Sequence, residues 1–323
     1  MNYRRFGRTN WQVSDMGYGM WGMVGWKGSE DDESHRSLDK AVELGCNFFD
    51  TAWGYAEGRS EQFLGQVIRR YPEKKLYNAT KVPPKNFIWP SKSHFKLEDC
   101  FPYDHIIEYA EKSLKNLGLD TIDLLQFHVW EDAWADNEDW QRAVEDLKKA
   151  GKIQHMGISV NRWEPDNCIE SLRTGHISAV QVIYNIFDQA PEDNLFPVCD
   201  ELDVAVIARV PFDEGTLTGN LTKESSWPEG DWRNTYFVPE NLNSSVDHAE
   251  ALRPLTPEGM TMAEMALRFI LQNKSVSTII PGMSKVKHVE SNISTSDTPA
   301  LPEGLMNELR KQRWDREPTE WSQ

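Results

Sequence analysis

Cysteine is scarce in this sequence, and long apolar runs are lacking. The four cysteines (Cys46, Cys100, Cys168 and Cys199) stand apart, with no CxxC pair and no dense framework. Reduced thiols in a cytoplasmic protein are therefore the simplest expectation. No uninterrupted apolar stretch approaches the roughly 18 residues that a membrane helix needs. The basic start of the chain, residues 1–8, has no apolar segment behind it, so we expect no secretory signal.

The chain also has few basic residues relative to acidic ones. The chain has 35 Lys and Arg against 51 Asp and Glu, a formal net charge of −16. A nucleic-acid backbone would be repelled, so the charge argues against a nucleic-acid partner.

The sequence also lacks histidine pairs at metal-ligand spacing. His94, His105, His155 and His176 form neither an HxH nor an HExxH pair, and we expect no metal.

What the chain does contain is a repeated pattern of a short apolar run, a loop and a helical stretch. A hairpin of two short strands around a Gly-Arg-Thr-Asn turn precedes it, between Tyr3 and Met16. Eight apolar runs follow, at residues 17–20, 47–49, 76–79, 122–127, 153–158, 179–183, 204–208 and 276–280. Amphipathic patterns between the runs predict helices over residues 30–44, closed by Gly45, and over 60–70, 104–117, 137–150 and 261–272.

Strands that are each followed by a helix indicate parallel pairing with right-handed crossovers. Eight such units close into a (β/α)₈ TIM barrel, and we expect one domain over residues 1–323, because barrels of about 250 residues or more fold as single domains. An open doubly wound sheet would want a glycine-rich turn after its first strand. Residues 17–22 match GxGxxG, but no helix pattern begins at Trp21 and residues 23–28 are predicted to be a loop, so we reject that fold.

Three predicted loops are longer than barrel connections usually are, at residues 82–103, 129–136 and 212–260. They follow the third, fourth and seventh strands and so emerge at the C-terminal rim, where barrel active sites lie. Their bulky aromatic residues are Phe87, Trp89, Phe101, Trp130, Trp134, Trp227, Trp232 and Phe237. These rings either pin the loops to the barrel or form an aromatic substrate pocket, and both explanations stay open.

Four side chains with acid–base chemistry lie at successive strand ends on this rim. Asp50 ends the second strand, and Tyr55 follows five residues later. Lys81 ends the third strand and His128 the fourth. A free phenol with a pKa of about 10 is a weak acid near neutrality, and a neighbouring ammonium group would lower that pKa. With a carboxylate to hold the ammonium and an imidazole to orient a carbonyl oxygen, the set predicts carbonyl protonation while another group delivers hydride.

At these residues the sequence resembles the aldo-keto reductase superfamily, from residue 3 to about residue 292. The matching stretches are residues 3–9, 49–55 (FDTAWGY), 60–65, 79–81, 123–128, 157–159, 215–219 and 280–282. The resemblance implies a barrel that binds NADP(H) without a Rossmann motif. It also implies Tyr55 as the general acid, Lys81 and Asp50 as the groups that tune it, and His128 as the group that orients the substrate.

The resemblance further implies where the dinucleotide binds. Ser159, Asn161 and Gln181 fall where the family holds the nicotinamide carboxamide. Because Val160 separates a serine and an asparagine that the family has in succession, either can make the contact. Arg209 stands where relatives often have a tyrosine that stacks on the nicotinamide, and a guanidinium plane can stack similarly. The other implied cofactor-binding residues are Met20, Trp21, Asp50, Val210, Pro211, Phe212, Gly215 and Leu217, and, at the adenosine end, Gly282, Ser284, Lys285, His288 and Asn292.

Lys285 and Lys287 keep positive charge at the adenosine end of an acidic chain. A 2′-phosphate needs cationic partners, so NADPH is favoured and NADH is possible; a solvated helix start is the alternative explanation of the lysines. The sequence therefore predicts an NADP(H)-dependent oxidoreductase that reduces an aldehyde or ketone, with the loop rings favouring an apolar or aromatic small-molecule substrate. The alternative is a regulatory subunit of the same fold that binds the cofactor with little turnover.

Overall fold

A computed structural model of the chain describes residues 1–23 and 31–322. Its first two strands, β1 (Tyr3–Phe6) and β2 (Trp11–Ser14), pair antiparallel around a 3₁₀ turn over Gly7–Thr9, as the sequence predicts. Gly7 has a left-handed φ of 48°, and a Cβ there would lie 2.6 Å from the backbone nitrogen of Ala205. This close approach packs the hairpin against the beginning of a barrel strand.

Eight parallel strands follow and pair in chain order in one sheet. They are β3 (Tyr18–Gly19), β4 (Phe48–Asp50), β5 (Tyr77–Val82), β6 (Ile122–Phe127), β7 (Ile153–Ser159), β8 (Ile177–Ile183), β9 (Ala205–Arg209) and β10 (Val276–Ile279). Two parallel bridges, Met16 with Ile279 and Gly19 with Gly282, join the first strand to the last. The sheet is thus a nearly closed barrel, and the predicted fold is confirmed.

The helices lie between and after these strands. In the described residues they are α1 (Asp31–Glu43), α2 (Arg59–Arg70), α3 (Leu97–Cys100), α4 (Tyr103–Leu117), α5 (Glu138–Lys149), α6 (Ile169–Arg173), α7 (Leu195–Leu202), α8 (Arg233–Tyr236), α9 (Pro239–Leu252), α10 (Met262–Leu271), α11 (Val286–Ser294) and α12 (Glu303–Arg310). The predicted helices correspond to α1, α2, α4, α5 and α10, with ends that agree to about a residue. No helix of the described residues is long and apolar enough to cross a membrane.

The prediction of a loop over residues 212–260 is wrong for much of its length, because α8 and α9 lie within it. Pro239 occupies the first turn of α9, where a missing backbone N–H is tolerated. Leu242, Val246 and Ala249 then form the buried face of the helix. The sequence PENLNSSVDHAEAL mixes these few apolar residues with serine and asparagine, which weakens the helical pattern. Of the loop predicted after the first strand, residues 24–28 lie outside the described residues.

Candidate active site

The barrel interior changes from apolar to polar toward the C-terminal ends of the strands. Side chains alternate across a strand, so successive inward positions are two residues apart. In four strands a buried apolar residue precedes a buried polar one at this spacing: Phe48 precedes Asp50, Ala79 precedes Lys81, Leu124 precedes Gln126, and Ala179 precedes Gln181. The strand register therefore brings these polar side chains together at one end of the barrel.

Lys81 lies at the centre of this polar cluster and is fully buried. Its Nζ donates to Asp50 Oδ2 at 2.6 Å, to the Thr51 carbonyl oxygen at 2.8 Å and to Tyr55 Oη at 3.3 Å. An ammonium group has three donors, so all of them have a partner here. Lys81 thus contacts both Asp50 and Tyr55, the residues that are predicted to act with it.

The second carboxylate oxygen of Asp50 is held by two amides. Gln126 Nε2 donates to Asp50 Oδ1 at 3.1 Å, and Gln181 Nε2 donates to the same oxygen at 2.8 Å. Gln181 was expected at the cofactor, whereas Gln126 was not singled out from the sequence. A signal for it existed: a polar residue interrupts the apolar run of β6, on the face that also carries Leu124.

Burial raises the pKa of the Tyr55 phenol, and the positive charge of Lys81 acts in the opposite direction. The lysine therefore has the expected effect, but the net direction is upward, because desolvation of the phenolate is larger. For Lys81, burial lowers the pKa, yet the charges of Asp50 and Tyr55 outweigh it and the net pKa is raised. Lys81 is thus a fixed cation at neutral pH.

His128 follows β6 directly, and its backbone N–H donates to the Val82 carbonyl oxygen at 3.1 Å. Its ring is edge-on to the Tyr55 ring, with centroids 5.7 Å apart, and edge-on to the Trp89 ring at 5.8 Å. Burial, and then the charges of Lys81 and Arg209, hold the pKa of His128 well below its usual range. His128 is therefore neutral at neutral pH, able to donate one hydrogen bond but not to act as a cationic acid.

The residues expected at the nicotinamide carboxamide are placed differently from one another. Ser159 ends β7, and its hydroxyl has no hydrogen-bond partner among the described residues. Asn161, in contrast, directs its amide nitrogen toward the loops outside the barrel, 3.0 Å from Glu131 Oε1 and 3.0 Å from Glu164 Oε2. Between them Val160 accepts a hydrogen bond at its carbonyl oxygen from Arg209 Nη2, at 2.9 Å.

Arg209 ends β9 close to the polar cluster around Lys81. Burial, and then the charge of Arg162, lower its pKa to about 10, so it stays charged at neutral pH. Its buried Nε has no hydrogen-bond partner in the described part of the chain. Met20 directly follows β3, the first barrel strand, and its backbone N–H donates to the Asp50 carbonyl oxygen at 2.9 Å. Trp21, next in the chain, is 41% exposed and edge-on to Trp232.

The segment after β9 has an unusual backbone. Val210, Asp213, Glu214 and Gly215 have left-handed φ angles of 54°, 46°, 56° and 110°. A β-branched residue rarely adopts such a conformation, and backbone strain of this kind is concentrated at ligand-binding sites. The turn closes with Gly215 and Leu217 both donating to the Phe212 carbonyl oxygen, at 2.9 and 3.0 Å. The next residue after Val210, Pro211, is buried.

Ion pairs hold this segment on both sides. Glu214 pairs with Arg162, and Asp213 pairs with Arg316 at 2.8 Å. Arg316 also pairs with Asp188 at 2.6 Å, and its side chain is only 4% exposed. The C-terminal segment is thus fixed against the loop after β9.

The residues expected at the adenosine end gather at the start of α11. Ser284 and Lys285 precede the helix, while His288 and Asn292 lie on it. The first backbone N–H of α11, that of Val286, donates to Glu33 Oε1 at 3.0 Å. Glu33 comes from α1, and its pairing with Arg36, followed by this backbone hydrogen bond, lowers its pKa. No local pattern in the sequence indicates Glu33 here, because the contact spans 253 positions in the chain.

Two observations test whether these residues fit a dinucleotide. A Cβ added at Gly215 or at Gly282 would meet no atom within 4 Å, so open space lies above both backbones. The unpartnered guanidinium nitrogen of Arg209 lies at the same end of the barrel as these two glycines. Space for close backbone approach and a free buried donor are what an extended anionic cofactor needs.

The loop aromatics divide between the two explanations that the sequence left open. Trp130, Trp134 and Phe101 are buried and pack on one another, so they pin their loops. Phe87 and Trp89 are 49% and 38% exposed, and Trp89 lies against His128. Phe87 and Trp89 therefore present partly exposed rings at the rim near His128, and Trp21 is exposed as well.

Comparison with known proteins gives consistent matches along the chain. The model of the aldo/keto reductase family matches residues 15–312. The uncharacterized oxidoreductase YqkF of Bacillus subtilis (strain 168) is 30% identical over 317 residues, which cover 96% of each chain. The NADH-specific methylglyoxal reductase of Escherichia coli (strain K12) is 29% identical over 89% of this chain and 91% of its own. The holo structure of the aldo-keto reductase AKR11C1 from Bacillus halodurans is 27% identical, with a TM-score of 0.78 over 100% of both chains.

Proposed function

Because this chain belongs to the aldo/keto reductase family and is therefore an oxidoreductase, we propose that it reduces an aldehyde or ketone with NADPH and that Tyr55 donates the proton. The observation that carries the proposal is the contact of Lys81 Nζ with Tyr55 Oη at 3.3 Å and with Asp50 at 2.6 Å, in a buried site. One domain over residues 1–323 carries the activity. The four cysteines are buried free thiols, which suits the cytoplasm as its compartment.

Tyr55 is the proposed acid because the other candidates are unsuitable. His128 is neutral, since its pKa lies well below the usual range. Lys81 keeps its protons in three hydrogen bonds, one of them to the carboxylate of Asp50. Transfer of the phenol proton leaves a phenolate 3.3 Å from the Lys81 ammonium group, which stabilises it. Tyr55 then regains its proton from solvent.

The carbonyl group would lie above Tyr55, with its oxygen accepting hydrogen bonds from the Tyr55 hydroxyl and the His128 imidazole. When bound, the reduced nicotinamide supplies the hydride that the carbonyl carbon takes. Charge then develops on the carbonyl oxygen, where two preorganised donors stabilise it. Phe87 and Trp89 would line the substrate side, which favours an apolar or aromatic carbonyl compound.

We assign the nicotinamide end to Ser159, Arg209 and Gln181, and the pyrophosphate to residues 210–217. Gln181 would contribute its side-chain oxygen as an acceptor, because its Nε2 donates to Asp50 Oδ1 and Gln126 Oε1. The adenosine end falls to Gly282, Ser284, Lys285, His288 and Asn292. Lys285 favours NADPH, because a 2′-phosphate at the start of α11 would find a cation there. Glu33 acts against this preference, since its carboxylate already accepts from the first N–H of the helix. Because one relative is an NADH-specific enzyme, the affinities for NADPH and NADH need to be compared directly.

The test is a panel of aldehydes and ketones, including methylglyoxal, assayed by loss of NADPH absorbance with NADH in parallel. We expect turnover of at least one apolar or aromatic carbonyl, with NADPH the better donor. A protein that binds NADPH tightly and turns over none of the panel would instead be the regulatory subunit considered above.

A further inference from the structure

Asn161 is bound into a polar cluster that lies outside the barrel. Its Nδ2 is 3.0 Å from each of four oxygen atoms: Ser91 Oγ, the Trp130 carbonyl oxygen, Glu131 Oε1 and Glu164 Oε2. Asn161 is 4% exposed. An amide nitrogen has only two hydrogens, so these acceptors already exceed what it can donate to. Its Oδ1 also faces this cluster, 3.3 Å from Ser91 Oγ. No donor of Asn161 is left for a ligand.

The same cluster joins three loops of the rim. Ser91 belongs to the loop after β5, Glu131 to the loop after β6, and Asn161 and Glu164 to the loop after β7. Ser91 Oγ donates to Glu131 Oε1 at 2.6 Å, and Asn167 Nδ2 donates to Glu131 Oε2 at 3.0 Å. We call Ser91, Glu131, Asn161, Glu164 and Asn167 the rim tether.

The rim tether bears directly on the wall of the proposed substrate site. Ser91 is two residues from Trp89, whose ring is edge-on to His128 at 5.8 Å and near Phe87 at 6.0 Å. Trp89 is 38% exposed, so part of its ring faces solvent at the rim. Fixing Ser91 therefore restricts where Trp89 can lie.

We propose that Asn161 is a positioning residue for the substrate, which holds Trp89 against His128 through Ser91, and that it does not contact the dinucleotide. This inference rests on the proposed reductase function for its kinetic test. Ser159, whose hydroxyl has no hydrogen-bond partner among the described residues, is then the residue of the pair that meets the carboxamide. The extra residue Val160 explains the division, because it moves Asn161 one position beyond the barrel rim.

The experiment compares Asn161→Ala with Ser159→Ala. For Asn161→Ala we expect KM for the carbonyl substrate to rise about tenfold, the scale of one or two lost hydrogen bonds, with NADPH Kd within about twofold. For Ser159→Ala the dinucleotide Kd should weaken and KM change less. Asn194→Ala is the matched control, because this asparagine is exposed and its side chain donates to Asp166 Oδ2 at 2.8 Å; it should change neither constant.

Asn161→Asp supplies a signature that simple misfolding would not. It places a third carboxylate beside Glu131 and Glu164, and like charges raise the pKa of such a group. At low pH the protonated acid can donate as the amide did, whereas at high pH the charges repel. The ratio of KM in Asn161→Asp to KM in the unmutated protein should therefore rise from pH 5.5 to pH 8, while the ratio for Asn161→Ala stays flat.

Hydrogen exchange gives a readout that needs no turnover. Backbone amides in residues 86–96 should exchange faster in Asn161→Ala, and more modestly so in Ser91→Ala, which removes one hydroxyl from the tether. Weaker NADPH binding by Asn161→Ala with an unchanged KM would overturn the inference. So would unchanged exchange in residues 86–96. If no carbonyl is turned over by the unmutated protein, the proposed function fails, and the exchange result still decides the tether.

Discussion

The cofactor preference can be tested with two opposite changes at the start of α11. Lys285 precedes the helix, and Glu33 Oε1 accepts from its first N–H at 3.0 Å. A 2′-phosphate carries nearly two negative charges and must bind a chain whose net charge is −16, so only close cations can attract it. Lys285→Ala should therefore weaken NADPH selectively, and Glu33→Gln should tighten it selectively.

The exposure of Lys285 limits the magnitude. A charge-assisted hydrogen bond contributes about 1.5–3 kcal/mol, and solvent screening at an exposed side chain moves this toward about 1 kcal/mol. Lys285→Ala should thus weaken NADPH by about fivefold and leave NADH almost unchanged. Glu33→Gln keeps the acceptor for the Val286 N–H and removes only the charge, so NADPH should bind a few times more tightly.

Quenching of tryptophan fluorescence measures both Kd values, because the chain has 13 tryptophans. Six titrations are needed: NADPH and NADH, each with the unmutated protein, Lys285→Ala and Glu33→Gln. Equal losses for the two dinucleotides in Lys285→Ala would refute the placement of the phosphate at this helix. An unchanged ratio of NADPH to NADH affinity in Glu33→Gln would show that the carboxylate does not face the phosphate.

Two further substitutions test Lys81 and Arg316. Lys81→Met should lower the rate of carbonyl reduction by about 10²–10⁴-fold. Because the charge of Lys81 lowers the pKa of Tyr55, the high-pH limb of the residual rate profile should move to higher pH. An unmoved limb would rule out this role of Lys81. Arg316→Leu leaves the buried carboxylates of Asp188 and Asp213 without their cation. The free energy of unfolding, measured by calorimetry, should therefore fall by about 3–5 kcal/mol. Since unpaired buried carboxylates bind protons more readily than in the unfolded chain, that loss should be larger at pH 8 than at pH 5, and a pH-independent loss would contradict it.

Most of the barrel could be predicted from the sequence because its signals are local. Apolar runs and helical periods repeat within windows of a few residues, and the strand ends place Asp50, Lys81 and His128 on one rim. The elements that were missed have weak local patterns, as α9 does.

The tertiary contacts of the site could not be predicted in the same way. Glu33 reaches α11 across 253 positions, and the partners of Asn161 come from two other loops. The net direction of the Tyr55 pKa was also missed, because it depends on burial, which the sequence does not state. In each case the sequence identifies the residue but does not show which distant side chains pack against it.

Tyr55→Phe is the most direct test of the central claim. The change keeps the ring against His128 and removes only the hydroxyl that Lys81 contacts at 3.3 Å. Single-turnover measurement of NADPH absorbance, with excess carbonyl substrate, reports the chemical step, and fluorescence quenching reports binding. We expect a loss of about 10²–10⁴-fold in the single-turnover rate with an unchanged NADPH Kd. A loss smaller than about tenfold, with chemistry still rate-limiting, would contradict Tyr55 as the proton donor.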